Sequence, residues 1–554
     1  MTPDPSPAPG RVRRAWLVTA ALVVALWALA FPALRQVGVT WDEALGDLFF
    51  GVRYFSYFAS GEARYLDFAG EAEPVAGLPE LAASPFRSRP WEYYPVANTL
   101  GAASAALLSG QLGWLDPFDG FHAVNLVFAS LLLALFVPFL ARRFGIVPAA
   151  AAALLLLTAP RLASDLLANT KDFPLMVLFT AALVTGERAR ERGSSWGLLA
   201  AGALGGLALA TKANAAFLPL VVLGVVAWER GGAAWRGRGA PLAVALAGAA
   251  LVGLGLFVAV WPYLWPAPGA RLLEHARYLL FRGAAMRPES GLAPLAAVAW
   301  TTPLPWLLAV ALGVLPTWRA ARRGAPGARL LVVWIAVVVA RLHLPGAVNF
   351  DGVRHFLELF PALAAVGGIG LAWAGGRLAA AVAPRFGALA RAAVVAVPLA
   401  AQGATLAAAH PFGIAWWNEL AGGLGGAQAR GLPQAGDYWG LSYRQGMEWL
   451  AANAEPGAAL AVPIAEHAVR LVAPWRLRPD LVLLPLTSPG RPEIPPPFMT
   501  RLRELAATRP VYVMTVRRDD WDNELTRDCR ARLRPEVGWT LQGGTVLSIY
   551  RYRP

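Results

Sequence analysis

Charge is what this sequence most lacks. Of its 554 residues only 15% are Asp, Glu, Lys or Arg, against about 25% in soluble domains. Hydrophobic residues make up 57% and the mean hydropathy is +0.48. A water-soluble particle of this size needs a charged surface, so the deficit puts most of the surface against lipid. Cysteine is nearly absent. Cys529 alone excludes an intramolecular disulfide and a cysteine-rich metal site, and leaves the redox compartment open. Lysine is also scarce: Lys171 and Lys212 stand beside 47 arginines. The net charge is +14, but no basic soluble module accompanies it, which excludes nucleic acid as a partner.

What is abundant is long apolar runs. A bilayer core of about 30 Å needs roughly 20 apolar residues per helix. Such runs recur up to residue 409 and then stop. Crossings are predicted at 15–34, 121–141, 146–160, 173–187, 196–211, 214–229, 241–263, 295–316, 328–345, 356–374 and 389–409. Ala28-Leu29-Ala30 resembles a signal-peptidase site. The apolar run continues past it, so an uncleaved first helix is expected. The apolar stretch 96–113 is a twelfth candidate. If it does not cross, Arg11, Arg13, Arg14, Arg142, Arg143, Arg188, Arg190, Arg192, Arg230, Arg236, Arg238, Arg319, Arg322, Arg323, Arg329, Arg377, Arg385 and Arg391 all fall on one side. If it crosses, most of them move outside, against the positive-inside rule. The stretch is therefore read as a helix lying in the first external loop. The N-terminus is then inside and residues 410–554 are outside.

That topology gathers polar residues on the external face. The first loop opens Thr40-Trp41-Asp42-Glu43-Ala44-Leu45-Gly46-Asp47. A carboxylate poised by its surroundings takes a proton from an attacking hydroxyl, worth about 10²–10⁴-fold in rate. A helix start with Asp42 near the cap accounts for the same residues. In the second external loop Lys171 and Asp172 sit at the mouth of the next helix, 173–187, where a helix start flanked by Pro174 is the competing account. Both lysines fall in short external segments. Arginine serves wherever charge only orients a loop, so a compact ammonium suggests a phosphate or carboxylate to meet. Lys212 also suits interfacial snorkelling. Residues 341–355 bring Arg341, His343, Asn349, Asp351, Arg354 and His355 close to membrane helices, where charge is costly and marks function. Arg354 suits a phosphate oxygen. His355 reads equally as an interface residue, and with His343 it makes no metal set. Arg271, Glu274, His275, Arg277, Tyr278, Arg282 and Arg287 have the spacing of an amphipathic surface helix.

The tail from 410 reads as a small α/β domain. Strands are predicted at 459–464, 481–486, 511–516 and 545–550, with helices at 444–453 and 501–507. It carries no Gly-rich phosphate loop, nucleophile elbow or metal spacing.

Over most of residues 15–450 the chain resembles the GT-C membrane glycosyltransferases of the family-39-like group. These include the dolichyl-phosphate-mannose protein mannosyltransferases and the lipid A aminoarabinose transferases. Asp42-Glu43 matches the acidic pair of that family's first external loop. Tyr94-Pro95-Val96 with Asn98 sits where the family shows a His-Pro-Pro-Leu-like start to a non-crossing helix. Asp172 falls at the Asp of its second loop. Thr301-Thr302-Pro303-Leu304-Pro305, Gly352-Val353-Arg354-His355-Phe356, His410-Pro411-Phe412, Trp417 to Gly423 and Asp437-Tyr438-Trp439-Gly440 look family-like too. The sequence departs from the mannosyltransferases at the His-Pro-Pro position and lacks a lysine just after it.

The resemblance implies an α-helical polytopic membrane protein of about eleven transmembrane helices. Residues 1–409 form the transmembrane domain, with a large first loop at 35–120. Residues 410–554 form an extracytoplasmic α/β domain. It implies an inverting, mannosyltransferase-like enzyme of the cell envelope. That enzyme moves a monosaccharide from a polyprenyl-phosphate donor to an acceptor, be it glycan, lipid or protein. Asp42 and Glu43 are then catalytic. Asp172, Lys171, Lys212, Arg354, His355, Tyr94 and Asn98 bind substrate or carrier. No cofactor is implied, and a divalent metal beside the acidic pair stays open. The competing class is a transporter or flippase of lipid-linked sugars without chemistry, for which an internal repeat is expected and none is found. Arg-, Ala- and Gly-rich composition points to a bacterial plasma membrane.

Overall fold

The computed structural model describes residues 9–70, 72–73, 78, 88–230, 239–285, 292–325, 327–344, 347, 350–486 and 493–553. Arg236, Arg238, Arg287 and Asn349 lie outside them.

Each predicted crossing has a helix. After α1 (Pro9–Ala33) the chain runs through α2 (Leu48–Ser60), α3 (Pro95–Ala105) and the short α4 (Pro117–His122). Next come α5 (Val124–Phe144), α6 (Ile146–Thr158), α7 (Pro160–Ala168), α8 (Asp172–Arg192) and α9 (Ser195–Leu209). Then follow α10 (Leu218–Arg230), α11 (Gly239–Ala259), α12 (Pro268–Ala285), α13 (Pro294–Thr301) and α14 (Leu304–Arg322). The membrane domain ends with α15 (Ala328–Leu342), α16 (Phe360–Ala381) and α17 (Pro384–Ala409).

Among the described residues, six helices are long and apolar enough to cross a membrane by length and composition. They correspond to α1, α4 with α5, α11, α14, α16 with the turn before it, and α17. A bent pair, α6 with α7, makes a seventh. The other expected crossings are shorter, as α9, α10 and α15 are, or charged at one end, as α8 is by Glu187 to Arg192. Two predictions are corrected at prolines. The span 295–316 is broken before α14, where Pro303 supplies no amide hydrogen. The loop expected after residue 160 is largely the helix α7, turned 71° from α6. The stretch 96–113 is α3 continued by a π-helical turn (Ala106–Gln111), packed between α2 and α4.

Glycine decides how closely the membrane helices approach. A Cβ on Gly313 of α14 would stand 1.9 Å from the Val366 carbonyl oxygen, and one on Gly370 of α16 2.1 Å from that of Ala309. On Gly206 of α9 it would stand 2.2 Å from the carbonyl oxygen of Gly253 in α11. Backbones touch at these crossings, the packing that membrane helices use in place of the hydrophobic effect.

Beyond α17 lie α18 (Gly423–Ala429) and a five-stranded sheet. Its elements in order are α19 (Tyr443–Asn453), β1 (Ala459–Ala461), α20 (Glu466–Arg476), β2 (Val482–Leu483), α21 (Pro496–Thr508), β3 (Val511–Val516), α22 (Glu524–Arg532), β4 (Pro535–Leu541) and β5 (Gly544–Arg551). The order is β2-β1-β3-β5-β4, parallel across the first three strands and antiparallel thereafter. β4, α20 and α22 were not predicted. The β4–β5 hairpin turns on Gln542-Gly543, both with positive φ (49° and 74°), the requirement of a tight hairpin turn. The turn has a second use: the Gln542 amide holds the Trp417 backbone from both sides, at 3.2 and 2.8 Å.

The sheet domain sits on the first loop. Gly38 N–H donates to the Leu441 carbonyl (2.9 Å) and Trp41 N–H to that of Trp439 (3.0 Å). Arg444 reaches Asp119 of α4 at 2.7 Å. The family-like motifs are the mortar of this seat. Asn418 donates to the carbonyls of Ala299 and Thr302 at 2.6 and 2.8 Å. Asp437 accepts from the amides of Trp439, Gly440 and Ser442 and from the Ser442 hydroxyl.

Candidate functional site

Thr40-Trp41-Asp42-Glu43 is a capping box. The Thr40 hydroxyl accepts from Glu43 N–H (3.1 Å), and the Glu43 carboxylate accepts from Thr40 N–H (2.7 Å). The cap is therefore Thr40 and not Asp42. The other Glu43 oxygen meets His122 Nε2 at 2.7 Å. The box separates the two neighbouring carboxylates. Glu43 is 2% exposed and committed to the fold, while Asp42 keeps 24% exposure and faces a cavity.

That cavity holds about 300 Å³. Asp42, Glu92, Tyr94, Lys171, Lys212, Arg341, Arg354 and His355 line it, with Tyr278 of α12 across from them. Both lysines of the chain thus open onto one space. Arg354 donates to Asp42 at 2.9 Å through Nη1, which also stands 3.5 Å from Asp172. Lys171 Nζ lies 3.0 Å from Asp47 and 3.4 Å from Asp42. Lys212 pairs with Asp172 and stands 3.1 Å from His355 Nδ1. Asp172 is further held by Asn169, whose side chain donates to it at 3.1 Å and to Asp165 at 2.8 Å.

Local structure explains these positions. Lys171 and Asp172 stand at the start of α8, and Asn169 accepts from the Asp172 amide at 2.7 Å. Lys212 follows α9 in an extended conformation before a 3₁₀ turn (Ala213–Phe217). Arg354 opens another 3₁₀ turn (Arg354–Leu359). Asp42 precedes a π-helical turn (Glu43–Asp47), a feature common at functional sites. Gly46 in that turn has Tyr93 against it; a Cβ there would meet the ring at 2.3 Å.

Electrostatics follow from burial and pairing. Burial lifts the Asp47 carboxyl to about 6, against the pull of Lys171 and with a further push from Asp42. Burial draws the Lys171 ammonium down, but Asp47, Asp42 and Asp172 outweigh it and hold its pKa above the ordinary lysine value. Lys171 is therefore a permanent cation.

The predicted residues separate into two sets. Asp42, Lys171, Lys212, Arg354, His355 and Tyr94 line the cavity. Glu43, Asp172 and Asn98 stand behind it: Asn98 donates to Asp47 at 3.1 Å and to the Tyr94 carbonyl at 3.2 Å. Tyr94 is fixed by His275 of α12, 2.9 Å from its hydroxyl. Sequence reasoning missed His122, Asp47 and Asn169 as parts of the site; it named Arg341 among the charged candidates of 341–355 but gave it no role, and Arg341 lies 2.8 Å from Glu358. The Thr-x-x-Glu spacing was a readable signal for the Glu43 assignment. Nothing local announces His122, 79 residues away.

Among the described residues, no group of three or more His, Cys, Asp or Glu side chains could hold a metal ion. The donor set argues against a divalent cation here, because Asp42, Asp47 and Asp172 each already face Lys171, Lys212 or Arg354.

The protein is thus a mostly helical, multi-span membrane protein with a small C-terminal mixed sheet and a cation-rich cavity lined by residues between Asp42 and His355. Residues 120–262 match the family described as dolichyl-phosphate-mannose-protein mannosyltransferase. No curated protein matches the chain. Among solved structures it is similar to ArnT from Cupriavidus metallidurans bound to undecaprenyl phosphate, at 17% identity and a TM-score of 0.49, over 96% of this chain and 98% of that one. It is also similar to the oligosaccharyltransferase AglB from Archaeoglobus fulgidus in complex with an inhibitory peptide and a dolichol-phosphate, at 12% identity and a TM-score of 0.45, over 91% and 69%. A second structure of the Archaeoglobus enzyme, in complex with Zn and sulfate, gives the same TM-score of 0.45.

Proposed function

We propose that this chain is an inverting glycosyltransferase that moves a monosaccharide from a polyprenyl-phosphate carrier to an acceptor on the extracytoplasmic face. One observation carries the reading: Asp42, a partly exposed carboxylate that Arg354 and Lys171 both approach, shares a 300 Å³ cavity with Lys171, Lys212, Arg341 and Arg354. A cavity of this size is at the small end of ligand pockets, about 300–1,000 Å³. The matched family segment supports the same chemistry.

In this mechanism the donor phosphate draws Arg354 and Lys171 away from Asp42, leaving a more basic carboxylate. The acceptor hydroxyl attacks C1 of the sugar from the face opposite the phosphate. Its proton passes to Asp42, the C1–O bond breaks, and the electron pair leaves with the phosphate. Arg354, Lys212 and Arg341 stabilise the charge that develops there. Glu43, through Thr40 and His122, keeps Asp42 turned to the cavity. Asp172 orients Lys212 and Arg354, and Asn98 and Tyr94 shape the wall. A second cavity, apolar and of about 460 Å³, lies between α8, α9, α10 and α11 and is lined by Ala215, three residues past Lys212. It suits the carrier's hydrocarbon chain.

The test is Asp42→Asn, purified from the native host and examined by native mass spectrometry. The variant should keep a polyprenyl phosphate bearing one sugar and lose about 10²–10⁴-fold in turnover. Undiminished turnover in a folded variant removes Asp42 as the base. If wild-type protein carries only ordinary phospholipid, the donor reading falls.

A further inference from the structure

Arg354 is the cation nearest the proposed base, and it is not held by the membrane domain alone. Its Nε and Nη2 donate to Asp351 Oδ2 at 3.2 and 2.8 Å, while Nη1 reaches Asp42. The other Asp351 oxygen accepts from Arg518 Nη2 at 3.0 Å. Arg518 comes from the sheet domain, two residues past β3. Its guanidinium also donates to the Tyr438 carbonyl and lies 5.1 Å from the Trp41 ring centroid. It therefore touches both the loop that presents Asp42 and the loop that presents Arg354.

Two features say that this arrangement is specified. Asp351 has φ +58° and Gly352 φ +69°. A left-handed aspartate is costly, and such conformations persist where surrounding contacts over-determine them. Asp351 is also 3% exposed, and a buried carboxylate needs a partner on each oxygen. Arg354 supplies one and Arg518 the other.

We infer that Arg518 is a positioning residue of the anion-binding cavity, so that the sheet domain completes a site built mainly in the membrane domain. This rests on the reading of the cavity as the seat of a carrier phosphate. Without Arg518, Asp351 loses its second partner, its left-handed turn relaxes, and Arg354 no longer points one nitrogen at the cavity.

Arg444 supplies the control. It also ties the sheet domain to the membrane domain, donating to Asp119 and to the Val37 carbonyl, and these partners are not those of Arg354, which are Asp42, Asp172 and Asp351. Undecaprenyl phosphate is titrated into full-length protein in detergent, with the thermal midpoint as a check on folding. Arg518→Gln should weaken binding about tenfold, and Arg518→Lys should recover most of it. Asp351→Asn combined with Arg518→Gln should lose no more than Asp351→Asn alone. Arg444→Gln should bind as wild type does, even where its midpoint falls. Equal losses in Arg518→Gln and Arg444→Gln would reduce Arg518 to a docking contact. Wild-type affinity in Arg518→Gln, beside lost affinity in Arg354→Gln, would also overturn the inference. Failure of the wild type and Arg354→Gln to differ would instead remove the underlying phosphate reading.

Discussion

Asp47 gives the cavity a titration near neutrality. Its carboxyl, lifted by burial to about 6, is 3.0 Å from Lys171. Above that pH it is ionised and neutralises Lys171. Below it the proton cancels one negative charge, and the cavity gains one unit of positive potential. An anionic carrier should bind about three- to tenfold more tightly as pH falls through 6. Asp47→Asn, which keeps the ligand's own phosphate titration, should lose that increment; parallel curves for the two proteins between about pH 5 and pH 8 would sink the assignment. The same few residues show what the sequence could tell. The acidic pair at 42–43 was legible as a candidate, and the capping spacing hinted at which member is tied into the fold. Burial on His122 decides that, and His122 is remote in the chain. The Thr40–Glu43 spacing alone would have favoured Asp42. The lysines were legible by scarcity, and their meeting in one cavity depends on α8 and α9 packing side by side.

Among elements, the α9–α11 crossing shows how little room the membrane domain leaves. A Cβ on Gly206 would meet the Gly253 carbonyl oxygen at 2.2 Å, whereas one on Gly255 meets nothing within 4 Å. Alanine gains about 1 kcal/mol of helix propensity at either site. Gly206→Ala should nevertheless lower stability by about 1–3 kcal/mol through overpacking, with Gly255→Ala neutral or better. Thermal unfolding in detergent measures the difference, and equal midpoints would refute the packing argument. Apolar runs made most helices legible, because the membrane imposes length and composition directly. The breaks did not follow from composition: Pro303 splits one expected span and the bend before Pro160 redirects another. In the sheet domain β3 was read at its observed limits, since its apolar run is continuous. β4 was missed because its outer-edge position leaves an irregular, largely exposed pattern (Pro535 to Leu541).

For the whole molecule, the proposed chemistry requires the cavity to face outward. Arg188, Arg190 and Arg192 close α8 at the end opposite Asp172, so one helix separates the arginine-rich face from the cavity. A phosphatase fused after Arg553 should be active outside the membrane, and one fused at Ser194 inactive. The reverse pattern would invert the topology and put the cavity on the cytoplasmic face. The two-part architecture was legible from the fall in hydropathy after residue 409. That Arg518 of the second part contacts Asp351 was not, because the two meet only when both parts are folded.

The two lysines have one more consequence. Because Lys171 and Lys212 are the chain's whole complement and both line the cavity, lysine is a natural isotopic reporter for it. Protein grown on ¹⁵N- or ¹³C-labelled lysine carries its side-chain label at this site and nowhere else. A spectrum of two ammonium resonances would then follow carrier, acceptor and proton without a mutation or an attached probe.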